Sequence, residues 1–123
     1  MKRVALVEDN ADNRLLVQAI LEDDYEVLEF ASGPAAVEGL VDAAPDLVLL
    51  DISLPGMDGT EVLAWIRGQP GLTDLPVVAL TAHAMAGDRE KYLAAGFDGY
   101  VTKPIVDEEV LFSAIRRWLS PTD

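Results

Sequence analysis

Five polar side chains follow apolar runs in this sequence: Glu8 and Asp9 after Val4 to Val7, Asp51 after Leu47 to Leu50, Thr81 after Val77 to Leu80, and Lys103 just beyond Tyr100-Val101. Three carboxylates brought together repel, and at least one must hold a proton unless a cation intervenes. Mg2+ suits such a site, because it takes oxygen ligands, keeps several waters, and uses one or two carboxylates together with phosphate oxygens. Asp9 and Asp51 are the expected direct ligands, with Glu8 acting through water and the backbone carbonyl of Ser53 completing the set. A hydroxyl (Thr81) and an ammonium (Lys103) beside a metal provide what a phosphoryl group needs: neutralised oxygens and an oriented donor. Asp51 is then the nucleophile, forming an acyl phosphate. Taken singly, each residue has a plainer reading as a cap, a turn or a solvated charge. The joint pattern carries the argument.

That chemistry requires a scaffold that ends several strands at one edge. Leu47 to Leu50 is a short continuous apolar run bounded by turn residues, as expected of a strand covered on both faces. Val4 to Val7, Val27 to Phe30, Val77 to Leu80 and a short strand about Tyr100-Val101 read likewise, and Pro76 stands where a missing donor does little harm. Five amphipathic segments alternate with these strands. The first follows the caps available in Asn10 to Asn13 and has Leu15, Leu16, Ala19 and Ile20 as its apolar face. The second follows Ser32-Gly33-Pro34 and has Ala36, Val37, Leu40 and Val41. Val62, Leu63 and Ile66 mark the third, which ends at Gly68 to Pro70. Ala84 to Ala95 is a weaker helix, poor in large apolar residues and stopped by Gly96. Asp107 caps the fifth, with Leu111, Ala114, Ile115 and Trp118 facing inward and Ser120-Pro121 ending it.

Strictly alternating β and α units with right-handed crossovers predict a flavodoxin-like, doubly wound, five-stranded parallel sheet in the order 2-1-3-4-5, with five helices. In that order the first and third strands are neighbours at the switch point, where ligands gather beyond the carboxyl ends. At 123 residues, half of them apolar, residues 1–123 form a single expected domain with no room for a second. With 9 basic and 22 acidic residues, the net charge of −13 opposes nucleic acid and anionic lipid as partners. There is no cysteine, which excludes disulfides, thiol catalysis and thiolate metal sites. The basic start is followed by only four apolar residues and two acids, neither a signal peptide nor a membrane span, and the expected location is cytoplasmic.

Glu8-Asp9, Asp51 followed by Leu54-Pro55-Gly56-Met57-Asp58-Gly59, Thr81-Ala82 and Lys103-Pro104 together resemble the receiver domain of two-component response regulators, of the stand-alone chemotaxis type. The resemblance spans the whole chain. It implies that Asp51 accepts phosphate from a phosphohistidine on a histidine kinase or histidine phosphotransfer protein, with Mg2+ required. It also implies that Lys103 contacts the phosphate, that Thr81 moves toward it, and that Tyr100 swings inward in response. Ser53 and His83 would flank the phosphate and tune its hydrolysis. A cis Lys103-Pro104 bond is implied too, and a downstream protein target would read the face made by the fourth helix, fifth strand and fifth helix. Glu8 stands where many relatives carry Asp, a variation compatible with a water-mediated role.

Two other readings use the same residues. A phosphohydrolase of the haloacid dehalogenase type also uses a strand-end aspartate with magnesium, but it places a second Asp two residues later, where this chain has Ser53. A phosphate-independent interaction module on the same fold usually lacks one of the key polar groups, and this chain has them all. The chain suits either a stand-alone receiver or one cut from a hybrid kinase.

Overall fold

The computed structural model describes residues 2–82, 88–103, 105 and 107–119. Strands and helices alternate along the chain as β1 (Arg3–Val7), α1 (Ala11–Leu21), β2 (Glu26–Phe30), α2 (Gly33–Ala43), β3 (Leu47–Asp51), α3 (Gly59–Arg67), β4 (Val77–Thr81), α4 (Asp88–Ala95), β5 (Gly99–Thr102) and α5 (Glu108–Arg116). The five strands form one parallel sheet in the order β2-β1-β3-β4-β5, the flavodoxin-like arrangement expected from the alternation. β2, the strand most mixed with acids, is at an edge. The three central strands are buried on both sides, with Val4 to Val7, all of β3 and all of β4 shielded from solvent.

Side chains alternate between the two faces of a strand, and each face carries its own helices. Ala5, Val7, Val48, Leu50, Val77 and Ala79 pack beneath α2 and α3 and against Tyr92 and Phe97. Val4, Leu6, Leu47, Leu49, Val78, Leu80 and Val101 pack against Val17, Leu21 and Tyr25 and against Leu111, Ile115 and Leu119 of the α5 region. Each fully buried leucine contributes about 1.5–3 kcal/mol relative to exposure. Side-chain caps start the helices where polar residues precede the apolar stripes. Asn10, Ser32, Asp58 and Asp107 accept from the amides of Asn13, Ala35, Glu61 and Glu109.

Three apolar faces differ from those expected. α1 buries Val17 and Leu21, while Leu15 is 69% and Leu16 41% exposed. Its apolar residues run almost without break from Leu15 to Leu21, so two adjacent stripes fit a helical period, and the packing of α1 on the sheet selects between them. Val41 of α2 and Trp118 beyond α5 are likewise exposed. The regular part of α5 stops at Arg116, and a turn carried by amides 118 and 119 donating to the Ile115 carbonyl turns Leu119 inward instead. The expected helix from Ala84 is described only from Asp88, and Tyr92 is its deeply buried aromatic. His83, Pro104 with the bond preceding it, and Ser120-Pro121 lie outside the described residues.

Candidate functional site

The parallel register brings the strand ends together. Val7 pairs with Leu50 and Asp51 with Leu80, so Glu8, Asp51 and Thr81 emerge side by side at one edge. Glu8 and Asp51 keep the alternation of Leu6 and Leu49, toward the face covered by α1 and α5. Thr81 keeps that of Val77 and Ala79, toward the face that holds Tyr92. Oxygens of Glu8, Asp9 and Asp51 lie within 4.8 Å of one another. Glu8 and Asp51 are buried and Asp9 is exposed.

Lys103 bridges the two buried acids. Its Nζ donates to Asp51 Oδ2 at 2.9 Å and to Glu8 Oε1 at 3.1 Å, across 52 and 95 residues of sequence. The Ser53 amide donates to Asp51 Oδ1 at 2.9 Å, which turns the β3–α3 loop back over the carboxylate. Gly59 closes that loop, its amide donating to the Ile52 carbonyl. The first turn of α1 holds Glu8 from the other side: Asn13 Nδ2 donates to Glu8 Oε1 at 2.7 Å and Arg14 Nη1 to the Glu8 carbonyl, also at 2.7 Å. Sequence reasoning saw Asn13 only as a helix cap and did not single out Arg14. Their spacing of five and six residues from Glu8 was the available signal. Tyr92 was missed as well; its hydroxyl lies 2.9 Å from Thr81 Oγ1 in the buried interior. Tyr100 is half-buried, with its ring 6.1 Å from that of Tyr92.

The electrostatics follow from burial and mutual repulsion. Burial, then hydrogen bonding and charge repulsion with Asp51, pushes the Glu8 carboxyl up to about 7. Burial also pushes Asp51 upward, but hydrogen bonds with Glu8, Lys103 and the Ser53 amide outweigh it and leave Asp51 below the usual carboxylate range. Lys103 is pulled down by burial and raised overall by its two acids. Of the two buried acids, Glu8 is the one whose carboxyl is raised and Asp51 the one held low, so a proton kept by the metal-free site is favoured on Glu8. Glu8 Oε2 is buried without a partner among the described residues. An orphaned acid oxygen beside two further carboxylates fits a small divalent cation of the oxygen-seeking class, with its waters satisfying what the protein does not.

What this arrangement can do is hold a tetrahedral anion beside an ionised carboxylate and an ammonium 2.9 Å from it; the Thr81 hydroxyl, at the end of the neighbouring strand, is turned to the other face, where it meets Tyr92. It has no acid two residues beyond Asp51, where Ser53 instead turns its amide to that carboxylate. This removes the general acid that a dehalogenase-type phosphohydrolase needs.

The profile of the response regulator receiver domain matches residues 4–116. The sensor protein GacS of Pseudomonas syringae pv. syringae is 45% identical over 120 residues, which cover 94% of this chain and 13% of that protein. This chain thus spans about an eighth of the length of that relative. The polar-differentiation response regulator DivK of Brucella ovis is 40% identical over 105 residues, covering 85% of each chain. Among solved structures, the receiver domain of the sensor histidine kinase PA1611 from Pseudomonas aeruginosa PAO1 superposes with a TM-score of 0.85 at 36% identity, covering 95% of this chain and 96% of that one, and holds a magnesium ion in its active-site cleft. With its carboxyl edge built this way, and with the match running almost end to end, this chain belongs to the response regulator receiver domain family, the phosphoacceptor domain of two-component signalling.

Proposed function

We propose that Asp51 is the phosphoacceptor and that it takes its phosphoryl group from a phosphohistidine on a histidine kinase or histidine phosphotransfer protein in the cytoplasm. The observation that carries this is the Lys103 ammonium seated between Asp51 and Glu8, which, together with the Glu8 and Ser53 hydrogen bonds, keeps the Asp51 carboxylate ionised and ready to attack. An Asp51 oxygen forms the new P–O bond as the P–N bond to the donor imidazole breaks, and the imidazole leaves with the bonding electrons and takes up a proton. Asp9, Asp51 and the Ser53 carbonyl would hold Mg2+ directly and Glu8 through water, and the ion would supply positive charge to the phosphoryl oxygens. Lys103 then exchanges its bond to Asp51 Oδ2 for one to the transferred group, and the Thr81 hydroxyl turns to a phosphoryl oxygen. Ser53 and His83, beside the site in sequence, tune hydrolysis of the acyl phosphate.

Tyr100 carries the change to the surface formed by α4, β5 and α5, where a downstream protein docks. Its ring borders a surface cleft that Leu93, Asp98, Gly99 and Arg117 also line. Incubation with acetyl phosphate and Mg2+ tests the assignment: the native chain should gain the mass of one phosphoryl group and Asp51→Asn should gain none. An equal gain in Asp51→Asn removes Asp51 from the role. Tyr100→Ala should still be phosphorylated and should lose phosphorylation-dependent partner binding.

A further inference from the structure

Tyr92 belongs to no step above, yet it holds the Thr81 hydroxyl. The two hydroxyls lie 2.9 Å apart, and either can donate. Thr81 is 2% and Tyr92 5% exposed, so water competes poorly for this bond. The Tyr92 ring is wedged edge-on against Phe97, with centroids 6.2 Å apart at 89°, and tilted against Tyr100 at 6.1 Å. One side chain of α4 therefore touches both the residue that meets the phosphate and the aromatic that reports it. We infer that Tyr92 is a positioning residue that latches Thr81 in its unswitched conformer and sets how strongly a phosphoryl group must pull to switch the domain. This rests on the role given to Thr81 above.

The physical basis is a competition for one hydroxyl. In the structure Thr81 shares a neutral hydrogen bond with Tyr92, whereas the switched conformer offers it an anionic phosphoryl oxygen, the stronger acceptor. Phosphorylation can therefore win, and the latch subtracts from its advantage. When Thr81 departs, the Tyr92 hydroxyl loses that partner while its ring still contacts Tyr100, which links the two events mechanically. A ligand biases such an equilibrium only through its differential affinity, so removing the Tyr92 hydroxyl should raise the apparent affinity for a phosphoryl mimic.

Tyr92→Phe keeps the ring and removes only the hydroxyl. Titrated with beryllofluoride in Mg2+, it should bind about five-fold more tightly than wild type, the equivalent of one neutral hydrogen bond of about 1 kcal/mol. In a Thr81→Val background the same substitution should give a clearly smaller gain, since the latch has no hydroxyl to hold. Without metal, the Thr81 methyl resonance of Tyr92→Phe should move from its wild-type position toward the mimic-bound one, a readout that general loosening of the fold would not produce. Unchanged or weaker binding by Tyr92→Phe, or an equal gain in the Thr81→Val background, overturns the latch while leaving the phosphoacceptor assignment standing. If Thr81→Val binds the mimic as wild type does, the role of Thr81 itself fails, and the latch with it.

Discussion

Gly59, the first residue of α3, is where a single methyl group should do most damage to the site. A β-carbon there would stand 2.8 Å from the Ile52 α-carbon and 3.1 Å from the Asp51 carbonyl carbon, and closer still to the Asp51 carbonyl oxygen. Ordinary contact begins near 3.4 Å, so the chains must separate by at least about 0.6 Å. Every atom it meets is backbone, and that backbone is pinned by hydrogen bonds from the Gly59 amide to the Ile52 carbonyl and from the Ile52 amide to the Leu80 carbonyl. Overpacking against fixed atoms costs about 3 kcal/mol, and the better helix propensity of alanine returns at most about 1 kcal/mol. A net loss of about 2 kcal/mol, at an unfolding entropy of about 0.26 kcal/mol/K for a chain of this length, lowers Tm by about 8 °C. The same displacement moves Asp51 and the loop bearing Ser53, so acyl phosphate formation should slow in whatever remains folded.

Gly68, at the other end of α3, is the matched control. Its φ of −90° suits any residue, and an added β-carbon would meet nothing nearer than 3.6 Å. Gly68→Ala should therefore leave Tm unchanged or raise it by up to about 4 °C, through restriction of the unfolded chain. Thermal unfolding by circular dichroism and acetyl phosphate labelling of both variants check the pair. If Gly59→Ala melts within about 2 °C of wild type and labels normally, the close approach does not constrain the loop and the reasoning is wrong.

Two further perturbations follow from other parts of the molecule. Because burial raises the Glu8 carboxyl from 4.5 to about 7, the folded metal-free protein binds more protons than the unfolded chain between those values. Its stability should then fall as pH rises through that window, by up to about 3 kcal/mol. Urea unfolding in EDTA should show this slope in wild type and lose it in Glu8→Gln; an identical slope in both would place the proton elsewhere. At the opposite end of the sheet, Arg67 donates to the carbonyls of Leu75 at 2.6 Å and Gly96 at 2.8 Å and to Asp98 Oδ2 at 2.9 Å, and that oxygen also accepts from the Val77 amide. Arg67→Ala should cost about 2 kcal/mol, and Arg67→Lys should recover little of it because an ammonium cannot reproduce the planar fork. Full recovery in the lysine variant, measured by urea unfolding, would show that charge alone matters there.

The alternation of strands and helices, the order of the sheet and the identity of the strand-end residues are all legible in the amino-acid pattern. These are properties of local pattern: short apolar runs, caps such as Ser32 and Asp107, and polar groups that begin where the hydrocarbon stops. Packing on the sheet selects which stripe of α1 faces inward, because the six apolar residues from Leu15 to Leu21 satisfy a helical period in more than one way. Tertiary structure also settles that Lys103 reaches Glu8 as well as Asp51, that Glu8 rather than Asp51 is the acid whose carboxyl is raised, and that Tyr92 of α4 holds Thr81. Each of these depends on distances between side chains from different elements, 95 residues apart for Lys103 and Glu8. Burial and Coulomb energies vary with separations of a few ångströms, and no window of adjacent residues contains that information.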